Sequence, residues 1–517
     1  MKLKRVLIGS LVVCGVLVVT LKRVRKSASA EPQTHPVSEE EATYERVDAY
    51  VRRHMDRLNI PGVSLAIVED DEMVHTRGWG RARPGGEPPS PQTPFAIGSL
   101  TKSFTAMAVM QRVEAGEIDL DAPVQRYLPS FRVADPEASA QITVRHLLNQ
   151  TSGLSTMSGW IPLADFDNRP GAIERQVRAL SKVELAHPVG TAFEYSDSNY
   201  NVLGLIVEAV SGEPYAEYVQ NHIFTPLKMC HSATSRAQAK QDGLAVGHRL
   251  WFWFPRPVRE LPTPQGSLPS GQLLASAEDM AHTLIALLNG GRYGEAQILS
   301  QAGIAELHRG VAEHVAMGMS MGEYGMGWYA SDVGETKVIW HTGLVPDFCA
   351  YMALIPEQKR GVILLLNADH FMMEPILTEV GTGVAALLTG EEPAPVRLGF
   401  LPWMVRGLLL IPVLQALGVV TTVRRLHHWR QDPESRPGGR RAWWRHVLLP
   451  LIPNLLVVLT LIPLLGPMRG FWRLFTPDYA WIATIGGGFA GIWSFLRTGL
   501  VLRAFRGSES PKSVEDG

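Results

Sequence analysis

The stretch Phe95-Ala96-Ile97-Gly98-Ser99-Leu100-Thr101-Lys102-Ser103-Phe104-Thr105 places a serine and a lysine three positions apart at the start of a helical pattern. Apolar residues continue at helical spacing to Glu114, and Gly116 ends the pattern. Because three residues make almost one helical turn, we expect Ser99 and Lys102 to lie side by side. A serine hydroxyl becomes a good nucleophile when a neighbour takes its proton, and a buried amine with a lowered pKa can do this. The stretch therefore predicts a nucleophilic serine at a helix N-terminus, where backbone N–H groups can hold an oxyanion.

The composition excludes several classes of protein. At 517 residues the chain is long enough for more than one domain, and a net charge of -1 gives no reason to expect a nucleic-acid partner. The few cysteines rule out a disulfide framework, and no cysteine–histidine cluster has the spacing of a metal site, so we predict no metal and no other cofactor. Cys230 and Cys349 are interpreted as small buried residues, with a disulfide between them as the alternative in an exported protein.

The N-terminal segment predicts export. An uncharged run from Val6 to Leu21 lies between two basic clusters, which is typical of a signal peptide or a signal anchor within residues 1–30. The basic cluster from Lys22 to Lys26 and the small residues around Ser29 leave anchoring and cleavage as open alternatives. Residues 31–41 are rich in proline and polar side chains and form a predicted linker.

The C-terminal part predicts a membrane domain over residues 401–505, after a linker over residues 391–400. Seven arginines lie between the first two of its three apolar stretches, and such basic loops remain in the cytoplasm. The tail over residues 506–517 is then cytoplasmic too, and residues 42–390 lie outside a bacterial-type cell membrane that the chain crosses several times. The stretches long and apolar enough to cross a bilayer are Leu401 to Val423, His446 to Leu465 and Tyr479 to Leu496.

Between the two linkers, strand patterns occur at both ends and helical patterns lie between them. Val63 to Glu69 and Met73 to Gly80 are short alternating runs around a turn, which is typical of a β-hairpin. Short apolar runs separated by turns follow Tyr324, and their close spacing predicts antiparallel pairing. From Leu120 to Leu261 the pattern is mostly helical. This order predicts an α+β fold in which a helical lobe is inserted between the strands of an antiparallel sheet.

Two other polar segments are candidates to complete the serine site. Tyr195-Ser196-Asp197 lies in a polar loop that opens a helix, and a tyrosine near a lysine can have a lowered pKa and act as general base and acid. The alternative is that Tyr195 packs in the core while Ser196 or Asp197 caps the helix. His341-Thr342-Gly343 ends an apolar strand, where the histidine could hold a substrate carboxylate and the glycine would let a substrate backbone approach.

Together, the three segments resemble the class C β-lactamase and D-alanyl-D-alanine carboxypeptidase superfamily, which includes many esterases. Its motifs Ser-x-x-Lys, Tyr-x-Asn and Lys/His-Thr-Gly correspond, in this order, to Ser99–Lys102, Tyr195–Asp197 and His341–Gly343. The resemblance covers about residues 42–388. It implies a two-lobed β-lactamase-like fold with the site between an antiparallel sheet and a helical lobe.

The resemblance also implies roles for these residues. Ser99 would be the acylated nucleophile, Lys102 the proton acceptor or electrostatic partner, and Tyr195 the proton shuttle. Whether Lys102 or Tyr195 is the base stays open. The oxyanion would be held by the backbone N–H groups of Ser99 and Leu344. The implied substrate-binding and oxyanion residues are Asp197, His341, Thr342, Gly343 and Leu344.

Two departures from the family pattern restrict the expected activity. Asp197 replaces the usual asparagine, which removes an amide donor and adds a negative charge that keeps Lys102 protonated more readily. His341 replaces the commoner lysine, which suits a peptidase or an esterase. We therefore expect weak or absent β-lactamase activity.

The function expected from the sequence is that of an exported, membrane-anchored serine hydrolase. It would act through a Ser99 acyl-enzyme on an ester or amide, such as D-alanyl groups of the cell envelope. The alternative is a penicillin-binding sensor or scaffold with little turnover. The expected partners are a small-molecule or peptidoglycan-like substrate and the membrane.

Overall fold

The computed structural model describes residues 38–258, 261–316, 319–461 and 466–506. The chain divides into two units, Met1–Ala42 and Thr43–Gly517. The predicted signal segment lies outside the described residues, as does most of the predicted cytoplasmic tail.

A central sheet is built from strands at both ends of the region between the two predicted linkers, as the sequence pattern predicts. In chain order the strands are β1 (Gly62–Glu69), β2 (Glu72–Gly80), β3 (Phe95–Ala96), β4 (His248–Trp251), β5 (Phe254–Pro257), β6 (Leu274–Ala275), β7 (Arg292–Tyr293), β8 (Ala296–Gln297), β9 (Ala312–Ala316), β10 (Met319–Gly325), β11 (Trp328–Val333), β12 (Thr336–Val345), β13 (Phe348–Ile355), β14 (Arg360–Leu366) and β15 (Ala368–Asp369).

The eight-stranded sheet has the order β2-β1-β14-β13-β12-β11-β10-β9. All its pairs are antiparallel, and β1 joins β14 with Val63 opposite Leu366. Alternate residues of β1 face different cores: Val68 packs on one side of the sheet and Leu65 on the other. Burying one such side chain contributes about 1.5–3 kcal/mol, so packing on both faces stabilises β1. The predicted antiparallel sheet and N-terminal hairpin are confirmed.

Helices cover both faces of this sheet and form the second lobe. Helices α1 and α13 pack on one face, and α2 and α11 pack on the other. In chain order the helices are α1 (Glu39–Leu58), α2 (Thr101–Glu114), α3 (Pro136–Gln141), α4 (Val144–Leu148), α5 (Thr156–Trp160), α6 (Ala172–Ala179), α7 (Asp197–Ser211), α8 (Tyr215–Val219), α9 (Arg236–Ala239), α10 (Leu268–Gly271), α11 (Ala277–Leu288), α12 (Gln301–Leu307), α13 (Met373–Thr389), α14 (Leu401–Gly407), α15 (Leu410–Gln431), α16 (Arg440–Trp443), α17 (Leu451–Leu461), α18 (Arg469–Phe475), α19 (Pro477–Trp481) and α20 (Gly487–Arg506).

The β4–β5 hairpin is a feature that the mostly helical pattern of this region does not predict. Its turn residues Phe252 and Trp253 have φ angles of 50° and 65°, a left-handed conformation that asparagine or glycine usually supplies. A tertiary contact holds the turn, because the backbone N–H of Phe252 donates to the carboxylate of Asp478 at 2.8 Å. The hairpin is therefore stabilised by a partner far along the chain rather than by its own turn residues.

The two described cysteines are both free, so the disulfide alternative is wrong. Cys349 is buried in β13, as expected, but Cys230 is exposed. Cys230 lies in a surface turn between α8 and α9, where no apolar neighbour covers it.

Three helical segments near the C-terminus are long and apolar enough to cross a membrane. They are Arg397–Gln431, Arg440–Leu459 and Pro477–Phe505, and they overlap the three predicted stretches. Between the second and third, α18 packs on the turn Ile161–Ala164 of the helical lobe. The connection between the second and third segments therefore contacts the helical lobe directly.

Candidate active site

Ser99 lies in a tight turn, Gly98–Leu100, directly before helix α2. Gly98 has a φ of +57°, and a Cβ atom on it would collide with the backbone nitrogen of Leu344. Likewise, a Cβ atom on Gly343 would collide with the carbonyl oxygen of Ile97. Because both glycines lack a side chain, the turn packs directly against β12. The backbone nitrogen of Leu344 therefore lies close to the turn that carries Ser99. That the N–H groups of Ser99 and Leu344 hold an oxyanion stays a prediction.

Lys102 is in the first turn of α2, and its side chain is fully buried. Its Nζ donates to Ser99 Oγ at 3.1 Å, to Asp197 Oδ1 at 2.5 Å and to the carbonyl oxygen of Ser270 at 2.7 Å. These contacts use the three protons of an ammonium group. The predicted side-by-side placement of Ser99 and Lys102 is therefore present, and Asp197 adjoins both.

Burial and charge act on Lys102 in opposite directions. Burial lowers the pKa of Lys102 below its ordinary value, whereas the charge and hydrogen bond of Asp197 raise that pKa, as does the charge of Glu374. The net direction is downward. A lysine in this state can exchange a proton with Ser99, while the carboxylate of Asp197 limits how often the amine is neutral.

The loop that carries Tyr195 is positioned by Gln150, a residue with a φ of 59°. The side-chain oxygen of Gln150 accepts hydrogen bonds from the backbone N–H of Ser196 at 3.0 Å and from the Asn199 amide at 2.5 Å. The backbone N–H of Glu194 donates to the Gln150 carbonyl at 2.9 Å. These bonds fix both sides of Tyr195, whose ring lies 4.8 Å from Lys102 Nζ.

The phenol of Tyr195 is hydrogen-bonded to Ser99, but its acidity differs from the expectation. Burial, together with the charge of Asp197, raises the pKa of Tyr195 well above its ordinary value, and the bond to Ser99 only partly opposes this. The expected lowering of the pKa of Tyr195 is wrong, because burial of the phenol, and after it the charge of Asp197, raises that pKa. Tyr195 is therefore protonated at neutral pH and can pass a proton on rather than act as a resident phenolate.

His341 lies in β12 and is buried beside the rings of Tyr195, Tyr324 and Tyr329. Burial and the nearby charge of Lys102 lower the pKa of His341 to about 3. A neutral imidazole supplies no positive charge for a substrate carboxylate, in contrast to the role expected from the sequence. Its Nδ1 contacts the carbonyl oxygen of Thr342 at 2.5 Å, which leaves Nε2 toward the tyrosine rings without a hydrogen-bond partner in the described part of the chain.

Thr342 and the following residues meet helix α13. The Thr342 hydroxyl donates to Glu374 Oε1 at 3.3 Å, and burial raises the pKa of Glu374. The sequence reasoning missed Glu374, Ser270 and Gln150 as members of the site. Of these three residues, only Gln150 had a signal in the sequence. It lies just before Ser152 and Gly153, in a segment that resembles the family.

A narrow cleft, with room for about 20 Å³ of water-sized solvent, lies over Ser99. Asp197, Arg236 and Gln272 supply polar groups to its wall, and most of the other lining residues are apolar. One of these, Phe475, comes from α18 between the second and third membrane-length segments. Among the described residues, no group of three or more histidine, cysteine, aspartate or glutamate side chains is placed to hold a metal ion. Ser99 lines the cleft and is hydrogen-bonded to the buried Lys102.

Comparisons with known proteins identify the family of this chain. Residues 47–384 match the profile of the family described as Beta-lactamase. The chain is 27% identical over 346 residues to Protein flp of Staphylococcus aureus (strain MW2), which covers 66% of each chain. It is 29% identical over 328 residues to Penicillin-binding protein 4 of Amycolatopsis lactamdurans, which covers 62% of this chain and 84% of that protein. The octameric penicillin-binding protein homologue from Pyrococcus abyssi is a similar solved structure, with a TM-score of 0.58, 26% identity and coverage of 68% of this chain and 79% of that one.

The match spans about two thirds of the length of the staphylococcal relatives. The family match ends at residue 384, before the membrane-length segments begin at Arg397.

Proposed function

This chain belongs to the Beta-lactamase family of serine hydrolases, and on that premise we propose that Ser99 forms an acyl-enzyme with an ester or amide substrate. The observation that carries the proposal is the contact of 3.1 Å between Lys102 Nζ and Ser99 Oγ beside a narrow cleft. D-alanyl groups of the cell envelope are the proposed substrates, since Ser99 would lie outside the membrane in the topology that the basic loop favours.

In the proposed reaction, Ser99 Oγ attacks the substrate carbonyl carbon as its proton passes to neutral Lys102. The N–H groups of Ser99 and Leu344 hold the oxyanion. Tyr195, which contacts Ser99 and lies beside Lys102, then gives its phenol proton to the leaving group and takes the proton that Lys102 received, so both side chains return to their starting states. Water hydrolyses the acyl-enzyme by the same steps in reverse. We propose Lys102 rather than Tyr195 as the base, because burial lowers the pKa of Lys102 and raises that of Tyr195.

A sensor or scaffold with little turnover is the second candidate function. The contact of 2.5 Å between Asp197 and Lys102 favours it, since this carboxylate holds the lysine in its charged form. In that case, acylation of Ser99 would be slow and the acyl-enzyme long-lived.

The test is active-site labelling of the full-length protein in detergent with a fluorescent fluorophosphonate and a fluorescent penicillin. We expect both probes to label the wild type and neither to label Ser99→Ala. The matched control is Ser103→Ala, which removes a buried hydroxyl one turn along the same helix, bonded only to the Leu100 carbonyl. Labelling that persists in Ser99→Ala would overturn the assignment of the nucleophile.

Turnover then separates the two candidates. D-alanyl peptides, short-chain esters and a chromogenic cephalosporin are supplied to the same preparation. Hydrolysis of the peptide or ester supports the enzyme, whereas stable labelling without any turnover supports the sensor. Rapid hydrolysis of the cephalosporin would contradict the weak β-lactamase activity expected from Asp197.

A further inference from the structure

The Ser99 cleft receives one wall from the membrane-associated part of the chain. Phe475, the last residue of α18, lines the cleft together with Leu163 and Leu344. The third membrane-length segment begins only two residues later, at Pro477. Two residues span less than about 7 Å, so this wall of the cleft lies at the very end of that segment.

The contacts of α18 hold it firmly against the catalytic region. The backbone N–H of Phe371 donates to the carbonyl oxygen of Phe475 at 3.0 Å. The rings of Phe471 and Trp160 stack with their centroids 4.8 Å apart. A Cβ atom on Gly470 would lie 2.6 Å from that of Ala164, so the two backbones approach closely. Phe475 is consequently a fixed part of the cleft wall.

Aromatic side chains also surround an arginine near the start of the first membrane-length segment. Trp403 is 70% exposed and Phe254 is 51% exposed, and the Arg406 guanidinium lies 4.8 Å and 5.2 Å from their ring centroids. Exposed aromatic rings with an adjacent arginine are typical of the boundary between bilayer and water. The neighbouring turn at Phe252 is bonded to Asp478, near the start of the third segment. Two independent contacts thus place the catalytic region against the ends of the membrane-length helices.

We propose that the substrate is an amphiphile resident in the outer leaflet, with its ester or amide at Ser99 and its apolar chain against Phe475 and Leu163. The proposal rests on the proposed function of Ser99 and adds the substrate class. The apolar wall would stabilise the apolar chain of the substrate. The end of the third segment would bring the cleft to the bilayer surface, where such a molecule lies. The acyl group passes to Ser99 Oγ, the leaving group takes the serine proton, and water releases the acid.

The experiment compares two esters with the full-length protein in phosphatidylcholine vesicles. One is p-nitrophenyl acetate, which is soluble in water, and the other is p-nitrophenyl dodecanoate, which partitions into the bilayer. The measured quantity is the ratio of Ser99-dependent kcat/KM values, dodecanoate over acetate, relative to the same ratio for the wild type. Partitioning of the ester cancels in this comparison, because all variants are measured in the same vesicles.

We expect Phe475→Ala to lower that ratio about tenfold, as loss of one buried aromatic contact would. Phe475→Leu, which keeps an apolar wall, should lower it by less. The matched control is Trp472→Ala, which removes an aromatic ring of the same helix that does not line the cleft, and its ratio should equal that of the wild type. If Phe475→Ala does not accumulate as folded protein, Leu163→Ser, at a second apolar residue that lines the cleft, is expected to give the same fall.

The possible failures are distinguishable. A ratio unchanged in both the Phe475 and Leu163 variants overturns the substrate class while leaving Ser99 as the nucleophile. An equal fall in Trp472→Ala also overturns it, because α18 would then act through stability alone. Absence of Ser99-dependent hydrolysis of either ester overturns the proposed function and this inference together.

Discussion

Replacing Asp197 by asparagine tests how this carboxylate affects the protonation state of Lys102, the proposed base. Asp197 Oδ1 lies 2.5 Å from Lys102 Nζ, and asparagine has nearly the same shape without the charge. Because the Asp197 charge raises the pKa of Lys102, its removal lowers that pKa further. A larger fraction of Lys102 is then neutral at pH 7 and able to accept the Ser99 proton. We therefore expect Asp197→Asn to accelerate acylation of Ser99.

The size of this effect follows from the ion pair. Two unit charges in contact attract by about 4 kcal/mol at an effective dielectric constant of about 20. Lys102 keeps the Ser270 carbonyl and the Ser99 hydroxyl as acceptors, and asparagine keeps a carbonyl dipole, so we take roughly one third of that attraction as lost. About 1.4 kcal/mol corresponds to a tenfold change. The expected rise in the acylation rate at pH 7 is accordingly about tenfold.

The assay is the second-order rate of fluorophosphonate labelling of the full-length protein between pH 5 and 9. The limb of the pH–rate profile that reports deprotonation of the base should move to lower pH in Asp197→Asn. Glu69→Gln is the matched control, since it removes a carboxylate paired with Arg360 at 2.7 Å outside the site, and its profile should not move. A slower reaction or a limb shifted to higher pH in Asp197→Asn would refute Lys102 as the base.

Three further predictions concern the groups around this pair. Gly343→Ala places a Cβ atom against the Ile97 carbonyl, which displaces the oxyanion donors, so kcat for ester hydrolysis should fall about 10²- to 10³-fold; a rate within twofold of the wild type would contradict this. Gln150→Ala leaves the Ser196 N–H and the Asn199 amide without their acceptor, at a cost of about 1–3 kcal/mol each; both thermal stability in detergent and Ser99 labelling should fall, and loss of neither would exclude its positioning role. His341 has a pKa of about 3 when folded, below its unfolded value, so its contribution to stability is complete above about pH 6.5 and is lost as the pH falls. The free energy of unfolding should therefore fall by about 2 kcal/mol less in His341→Gln than in the wild type when the pH is lowered from 7.5 to 5. An equal fall in the two proteins would show that His341 is not buried in its neutral form.

The parts of the fold that were predictable from the sequence are those fixed by local patterns. The hairpin of β1 and β2 follows from alternation around a polar turn, and α2 follows from helical spacing after Ser99. Lys102 could be placed beside Ser99 because their contact spans less than one helical turn. The β4–β5 hairpin could not be predicted, since its turn residues are aromatic and its conformation depends on Asp478.

The electrostatics of the site were predictable only in part. Asp197 could be assigned a place near Lys102 because the order of the motifs resembles a known family. The effect of Asp197 on the pKa of Tyr195 could not be predicted, because the sign of the shift depends on burial and on the distances to both charges. Glu374, which contacts Thr342, lies in α13, and no motif around it marks it as a member of the site.

The C-terminal segments show most clearly what a linear pattern leaves out. Their length and hydrophobicity predict membrane spans, and from this alone they would serve only as anchors. In the folded chain, Phe475 lines the same cleft as Ser99, and the Phe371 N–H bond holds it there. Removing these segments would therefore strip one wall from the cleft as well as the anchor. For this reason, the substrate preference of the intact chain has to be measured with the C-terminal helices in place.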